Sequence, residues 1–285
     1  MIDNRKKVYV VTDIETTWHY RPNATELATL EGMPKSINLA FDTAWKAVDR
    51  HGNVYAKGSY VATDCFRYAI PFFKQKLGLY IEDAFEHNLA PVNFSDVRTR
   101  FNADLAELDA QNFNVILTAY NAAFDFSHLQ QTSEFLLNDN FLDRPRPILD
   151  IWHTWGMTVP LSYAKQASRT ASGMYFASTA EAAYAFETGN SDFIEKHVAW
   201  DDVEIETELL IKALKRSSAE QRIITENPAE LPAMCWRDIN ERLQDKHPIT
   251  GVDEIGTEDE KPVYKQDRDF QNGFKAEFKE FQSAE

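Results

Sequence analysis

The stretch Lys7-Val-Tyr-Val-Val-Thr-Asp-Ile-Glu15 is the strongest indication of the fold, because a run of β-branched and aromatic residues ends there at two carboxylates. This composition predicts a buried β-strand. Side chains alternate between the two faces of a strand, so Asp13 and Glu15 point in the same direction. Paired hard oxygen ligands on a rigid element suit Mg²⁺ or Mn²⁺. Taken alone the pattern is weak, because Asp202-Val-Glu204 repeats it inside a predicted helix and most such pairs are solvated surface charges.

The rest of the chain alternates between strand and helix patterns. Further strands are predicted at about 37–48, 54–62, 114–118 and 147–151. Helices are predicted at about 66–87, 94–110, 126–137, 179–187, 201–216 and 229–244. Residues 18–36 are predicted to form a long loop and residues 158–178 a mobile one. This order predicts an α/β fold with a central mixed sheet of about five strands and helices packed on it.

The composition narrows the class of protein. A hydrophobic fraction of 44% is ample for one α/β core. No run approaches the roughly 20 apolar residues that span a membrane. Two cysteines, Cys65 and Cys235, match no metal-ligand spacing and predict reduced thiols in a cytoplasmic protein. The formal net charge of −15 argues against broad contact with duplex DNA, because proteins that grip many phosphates are usually basic. This charge is compatible with an enzyme that acts on a strand end, where metal ions neutralise the site and the protein contacts only a few nucleotides.

Two further motifs place acidic residues at helix starts. Asn121-Ala-Ala-Phe-Asp125 follows the strand at 114–118, at the open edge of the sheet where α/β sites tend to lie. A helix cap at Asn121 or Asp125 explains this motif equally well. His197-Val-Ala-Trp-Asp-Asp202 opens a predicted helix, whose dipole alone would favour acidic residues there. Its spacing is nevertheless restrictive, because His197 alone among the 7 histidines has Ala two places on and Asp five places on.

The three motifs, in this order, resemble the DEDDh superfamily of 3′→5′ exonucleases, which includes DnaQ-like proofreading exonucleases, RNase T and oligoribonuclease. The matching segments are Val-Thr-Asp13-Ile-Glu15-Thr-Thr, Tyr-Asn121-Ala-Ala-Phe-Asp125 and His197-Val-Ala-Trp-Asp-Asp202. The resemblance covers about residues 7–216 and includes Leu149-Asp150 after a strand. Four residues separate His197 from Asp202, which favours the histidine branch over the tyrosine branch. The resemblance implies a ribonuclease H-like α/β/α fold.

The resemblance also implies a two-metal mechanism. Four carboxylates would hold two divalent ions, Mg²⁺ or Mn²⁺, about 4 Å apart. Asp13 would contact both ions, Glu15 and Asp202 the ion that activates water, and Asp125 the ion near the leaving 3′ oxygen. His197 would take the proton from the attacking water, a task that suits an imidazole because it gains and loses a proton near neutral pH. The product would be a nucleoside 5′-monophosphate.

A further set of residues is predicted to contact the nucleic acid. These are Thr16, Thr17, Trp18, Asn121, Phe124, Lys165 and Arg169. The first three follow the first motif, where relatives contact the terminal nucleotide. We hypothesise that Trp18 stacks on the terminal base, and packing of Trp18 within its own loop is the equal alternative. Lys165 and Arg169 would reach phosphates from the loop at 158–178, although most such residues in polar loops are only solvated.

The predicted domain organisation places an exonuclease domain at 1–216 and a helical extension at 217–245. An acidic linker follows at 246–263 and an amphipathic helix at 264–285. One face of that helix carries the phenylalanines Phe270, Phe274, Phe278 and Phe281. Such a stripe is typical of a helix docked on its own domain, but the acidic linker leaves a protein partner open.

The sequence therefore predicts an exonuclease that acts on the 3′ end of a single strand, DNA rather than RNA, in the cytoplasm and away from membranes. An exoribonuclease or oligoribonuclease stays open, because the motifs do not separate ribose from deoxyribose. A non-catalytic module that docks a partner stays open as well, although the complete set of five site residues argues against it. A metal-free hydrolase would not account for His197 and its spacing.

Overall fold

The computed structural model describes residues 5–17, 37–68, 90–167, 170, 175–217, 222–231 and 235–244. The strands in these residues are β1 (Lys7–Thr16), β2 (Ala40–Val48), β3 (Val54–Ala62), β4 (Ala90–Val92), β5 (Asn114–Ala119), β6 (Ile148–Asp150) and β7 (Ile224–Thr225). The α-helices are α1 (Phe94–Ala110), α2 (Ala122–Leu137), α3 (Ile151–Gly156), α4 (Tyr163–Gln166), α5 (Ala180–Thr188), α6 (Ala199–Arg216) and α7 (Cys235–Gln244). Short 3₁₀ helices are present at Thr63–Tyr68 and Pro228–Glu230. None of the helices described here combines the length and the hydropathy that a membrane span requires.

The described strands form one mixed sheet in the order β4-β3-β2-β1-β5-β6-β7. The central strand β1 runs antiparallel to β2 and parallel to β5. Strand β6 is parallel to β5, while the short β7 pairs antiparallel with β6. Because β1 and β5 run in the same direction, their C-terminal ends lie at the same edge of the sheet. The residues that follow these two strands are therefore brought together.

Helices cover both faces of the sheet and create two hydrophobic cores. Helices α1 and α2 pack on one face, and α3, α5, α6 and α7 pack on the other. The alternation of β1 sends Val8 and Val10 into the first core and Tyr9 and Val11 into the second. Asp13 continues the second series, so its carboxylate faces the layer that contains α6.

The predicted α/β fold with a mixed sheet and helices packed on it is confirmed, although the sheet has seven strands in the described residues rather than about five. The two additional strands, β4 and β7, are only 3 and 2 residues long and too short to show a period of two in the sequence. The predicted loop at 158–178 is wrong at α4, where Tyr163 is buried and donates a hydrogen bond to the carbonyl of Ala177. Helix α3 was also missed, because it begins directly after β6.

Other predictions fall outside the described residues. These are the loop at 18–36, most of the helix at 66–87, and the linker and Phe-striped helix at 246–285. The domain boundaries proposed at 216 and 245 stay predictions.

Helix α7 packs against α3 in the second core. Ile239 and Leu243 are fully buried there, and Arg242 donates hydrogen bonds to the carbonyls of Gly156 (3.1 Å) and Val159 (2.7 Å). A Cβ atom on Gly156 would lie 2.2 Å from Cγ1 and Cδ1 of Ile239. The close approach of the two helices therefore depends on the absence of a side chain at residue 156.

This contact predicts a non-additive pair of substitutions. Ile239→Ala should lower the free energy of unfolding by about 2–5 kcal/mol, because it leaves a cavity. Gly156→Ala should lower it by about 1–3 kcal/mol, because the new methyl group overlaps Ile239. The double variant should lose less than the sum of the two, because the shortened side chain at position 239 leaves room for the methyl group added at position 156. Urea denaturation measures all three values, and strictly additive losses would contradict the contact.

Candidate active site

The first two candidate ligands lie at the end of β1. Asp13 pairs with Ala44 and Glu15 with Asp42 in the register with β2, and both candidate carboxylates are half-buried. The register shifts directly after Glu15. Beyond the shift Thr17 is fully buried, and its hydroxyl accepts a hydrogen bond from the backbone N–H of Leu39 (3.0 Å). The strand thus presents its carboxylates just before it leaves the sheet.

The second motif forms the turn from β5 into α2. Asn121 has φ 73° and ψ 50°, a left-handed conformation that Asn tolerates better than most residues. Its side chain makes no capping hydrogen bond, so the alternative of a simple helix cap at Asn121 is not what the structure shows. The backbone N–H of Ala122 instead donates to Oδ2 of Asp150 at the end of β6 (2.9 Å). Asp125 follows in the first turn of α2 and is only 2% exposed.

The third motif precedes α6. His197 has φ 57°, in the left-handed region that residues other than Gly seldom adopt. Such a conformation generally costs about 1–3 kcal/mol and is found at functional sites where the surroundings impose it. The start of α6 is held to β2, because the N–H of Ala199 donates to Oδ2 of Asp42 (3.1 Å). Asp202 lies in the first turn of α6 and is 5% exposed, whereas the His197 side chain is 56% exposed.

These three segments meet at the edge of the sheet. Glu15, His197 and Asp202 each offer one ligand atom, and the three atoms all lie within 4.8 Å of one another. Asp13 and Asp125 interact electrostatically with the same group of carboxylates. The structure therefore brings together all five residues that the sequence motifs singled out.

Burial and mutual repulsion raise the pKa of the carboxyl groups in this cluster. Burial is the largest cause for Asp13, Asp125 and Asp202. Among neighbouring charges, Glu206 contributes most to the rise at Asp13. The pKa of Asp202 is raised to about 10, and among neighbouring charges Glu195 contributes most to that rise. A cation would favour the ionised forms and reverse these shifts.

The donor set fits a divalent metal ion. Oδ1 of Asp202 is buried and has no hydrogen-bond partner among the described residues, so it is free to act as a ligand. The other donors nearby are carboxylate oxygens, which Mg²⁺ and Mn²⁺ prefer, with a ring nitrogen of His197 within reach. Asp13, Glu15, Asp125 and Asp202 would hold the metal.

The structure describes some, but not all, of the residues that were predicted to contact nucleic acid. Phe124 is 39% exposed beside Asp125, and its ring centroid lies 4.1 Å from that of His128. Thr16 and Asn121 are half-buried at the ends of β1 and β5, and Lys165 is exposed on α4. Trp18 and Arg169 lie outside the described residues. The contacts of all these residues with nucleic acid stay predictions.

Glu206 is a member of the cluster that the sequence motifs did not reveal. It lies on α6, is 2% exposed, and its Oε2 accepts a hydrogen bond from the backbone N–H of Tyr120 (3.1 Å). Burial, and next the charge of Asp125, raise its pKa well above the usual range. A signal was present in the sequence: Glu206 follows Asp202 by four positions and shares its helix face with Leu210, so a carboxylate occupies the buried stripe.

Glu195 is a second addition. Its Oε2 lies 3.9 Å from Nδ1 of His197, and burial raises the pKa of its half-buried carboxyl group. Nothing in the sequence pattern marked this residue, because it belongs to the irregular segment before α6.

Comparisons with known proteins yield distant structural similarities alone. No family model and no curated protein matches the sequence. Similar solved structures include a full-length 3′-exonuclease, with 11% identity, a TM-score of 0.47, and coverage of 80% of this chain and 94% of that one. The cell-death related nuclease 4 (CRN-4) has 12% identity, a TM-score of 0.48 and 93% coverage of both chains. E. coli Exonuclease I in complex with a dT13 oligonucleotide has 12% identity, a TM-score of 0.40, and coverage of 74% and 42%. Similarities this distant carry no argument about function.

The raised pKa values predict how the stability of the metal-free protein depends on pH. The folded-state pKa is raised at Asp13, Asp125, Asp202 and Glu206. Such a group stabilises the native state fully below its unfolded-state pKa, about 4, and this contribution is lost as the pH rises through the folded-state value. Asp49, whose pKa is lowered, acts in the opposite direction, but its contribution is complete above about pH 5. The melting temperature in EDTA should therefore fall between about pH 5 and pH 9.

Asp202→Asn tests the source of this dependence. The amide keeps the shape of the side chain but cannot ionise, so the variant should melt several degrees above wild type at about pH 8 in EDTA. The two proteins should melt alike only below about pH 4, where the carboxyl group is protonated in the unfolded state as well as in the folded state. Asp139→Asn, at an exposed aspartate that pairs with Arg98 (3.1 Å), is the matched control and should have no such effect. An Asp202→Asn variant that melts no higher than wild type at the upper pH would contradict the assignment.

Proposed function

We propose that the chain is a metal-dependent 3′→5′ exonuclease of the DEDDh type. It would hydrolyse phosphodiester bonds at the 3′ end of single-stranded DNA in the cytoplasm and release nucleoside 5′-monophosphates. One observation carries the proposal: carboxylates from separate elements meet beside an exposed imidazole, with ligand atoms of Glu15, His197 and Asp202 within 4.8 Å of one another. The resemblance of the three motifs to DEDDh exonucleases suggests the direction of degradation.

The proposed roles follow from burial and exposure. Asp13, Glu15, Asp125 and Asp202 would hold two divalent ions, Mg²⁺ or Mn²⁺. When bound, these ions would lower the pKa of the attacking water and stabilise the charge that develops on the phosphate. His197 is the exposed member of the cluster, so its ring is open to a water molecule that arrives from solvent and can take its proton. The bond from phosphorus to the 3′ oxygen of the penultimate nucleotide breaks, and that oxygen is protonated from solvent.

Phe124 supports the proposed substrate class. Its ring is exposed on α2, one residue before Asp125 in the sequence, and packs against His128, so it leaves aromatic surface available to a base. Stacking of a base on such a face generally contributes about 1–3 kcal/mol and requires an unpaired base. The net charge of −15 is compatible with a short footprint on one strand end. The roles proposed for Thr16, Trp18, Asn121, Lys165 and Arg169, and a protein partner for the C-terminal helix, await experiment.

A degradation assay tests the activity. The substrates are 5′-labelled single-stranded DNA, duplex DNA and RNA, each incubated with Mg²⁺, Mn²⁺ or EDTA. We expect a ladder that shortens from the 3′ end of single-stranded DNA with either metal and is absent in EDTA. Asp13→Asn should lower the rate by several orders of magnitude, because one carboxylate of the metal site is lost.

The controls separate this activity from alternatives. Asp139→Asn should retain the wild-type rate, because Asp139 is an exposed surface residue. A phosphorothioate at the 3′-terminal linkage should slow degradation, whereas one at the 5′ terminus should not. Faster degradation of RNA than of single-stranded DNA would show that RNA, and not DNA, is the preferred substrate. The absence of a ladder from folded protein on every substrate would refute the proposed enzyme and favour a docking module.

The role of His197 is tested by the pH dependence of His197→Ala. Loss of a general base generally costs about 10²–10⁴-fold in rate. The deficit relative to wild type should shrink as the pH rises, because hydroxide then replaces the missing base. His51→Ala, at an exposed histidine in the turn between β2 and β3, is the matched control and should follow wild type at every pH. A His197→Ala deficit that is constant with pH would argue against the proton-transfer role.

A further inference from the structure

Glu206 occupies an unusual position for a carboxylate. It lies one turn beyond Asp202 on α6 and is 2% exposed, in a helix face otherwise filled by residues such as Leu209 and Leu210. A buried carboxylate is strongly disfavoured unless hydrogen bonds or charges compensate for the loss of water. The placement of Glu206 therefore requires a partner inside the protein.

That partner is the backbone of the turn between β5 and α2. The N–H of Tyr120 donates to Oε2 of Glu206 across the interface between α6 and this turn (3.1 Å). Two residues on, the N–H of Ala122 donates to Oδ2 of Asp150 (2.9 Å). Two buried carboxylates from different elements thus hold the amides on either side of Asn121, whose backbone is left-handed.

Glu206 connects the two elements that carry the candidate ligands Asp125 and Asp202. Its backbone belongs to α6, in whose first turn Asp202 lies, and its carboxylate holds the turn that leads into Asp125. The charges of Asp125 and Asp202 both act on Glu206, and each raises the pKa of its carboxyl group. A side chain that joins these elements is in a position to influence how far apart the two ligands lie.

We propose that Glu206 is a positioning residue of the active site, which joins α6 to the β5–α2 turn through the Tyr120 amide and thereby sets the spacing of Asp125 and Asp202. This inference rests on the proposed function, because it assigns to Glu206 the geometry of the metal site. The Glu206 side chain acts by its length and its acceptor oxygen. Hydrogen bonds that orient metal ligands commonly change metal affinity or activity by about 10–100-fold when they are removed.

Substitutions that separate length from charge test the proposal. Glu206→Gln keeps the length and an acceptor oxygen but removes the charge. Glu206→Asp keeps the charge but is one methylene shorter and cannot reach the Tyr120 amide from the same backbone position. Glu206→Met keeps approximately the length and removes the acceptor. The matched controls are Glu204→Gln and Glu204→Met on the same helix, where Glu204 pairs with Lys46 instead of the turn (2.6 Å).

Two readouts are taken on the full chain: Mn²⁺ affinity by calorimetry, which needs no turnover, and kcat on single-stranded DNA. Glu206→Gln should remain within about 3-fold of wild type in both, whereas Glu206→Asp and Glu206→Met should lose about 10–100-fold. The Glu204 variants should match wild type in both readouts. Should Glu206→Met fail to fold, the comparison of the Gln and Asp variants still decides the matter.

The opposite ranking would overturn the proposal. If Glu206→Asp outperforms Glu206→Gln, the charge of Glu206 matters more than its reach, as expected for a direct metal ligand. Wild-type behaviour of all three Glu206 variants would show that the connection to Tyr120 is dispensable. A wild-type protein that neither binds Mn²⁺ nor cleaves DNA would instead refute the proposed function together with this inference.

Discussion

The carboxylates that meet beside the end of β1 repel one another, and the surrounding elements must hold them in place against that repulsion. Asp13, Asp125 and Asp202 come from three separate elements, and burial together with neighbouring charges raises the pKa of each. Like charges at this density move apart unless a rigid scaffold holds them or a cation neutralises them. The parallel pairing of β1 with β5 supplies much of that scaffold, because it brings two strand ends to one edge of the sheet. The acidic character of the chain is therefore compatible with a site that attracts cations.

A second layer of acidic residues holds the first layer in place. Asp42, Asp150 and Glu206 each accept a hydrogen bond from a backbone N–H, at residues 199, 122 and 120 respectively. These amides lie at the starts of the segments that carry Asp125 and Asp202. Precise placement of ligands generally requires such support from neighbouring groups. The left-handed backbone of His197, two residues before α6 begins, belongs to the same arrangement, in which the surroundings impose a conformation that the residue alone disfavours.

Much of the fold could be predicted from the sequence where elements are long and regular. Helix α1 has the predicted bounds of 94–110, because its apolar residues recur over several turns. The number of strands in the sheet was underestimated, because β4 and β7 are only 3 and 2 residues long. At that length the conformation depends on neighbours in space more than on the local sequence. Helix α4 was predicted as loop because Tyr163 and its polar surroundings show no helical period, whereas its burial depends on contacts with α5.

Sequence patterns were sufficient to predict the α/β class, the strand that ends in Asp13 and Glu15, and the two motifs that carry Asp125 and Asp202. Each of these is a short-range property, because strand alternation, helix starts and motif spacing are set by residues that are close together in the chain. The additional acidic residues of the site are defined by packing between elements that are far apart in the chain. The hydrogen bond from the Tyr120 amide to Glu206 joins residues that are 86 positions apart in the sequence. No local sequence pattern predicts it, because it requires α6 to pack across the sheet beside the turn that follows β5.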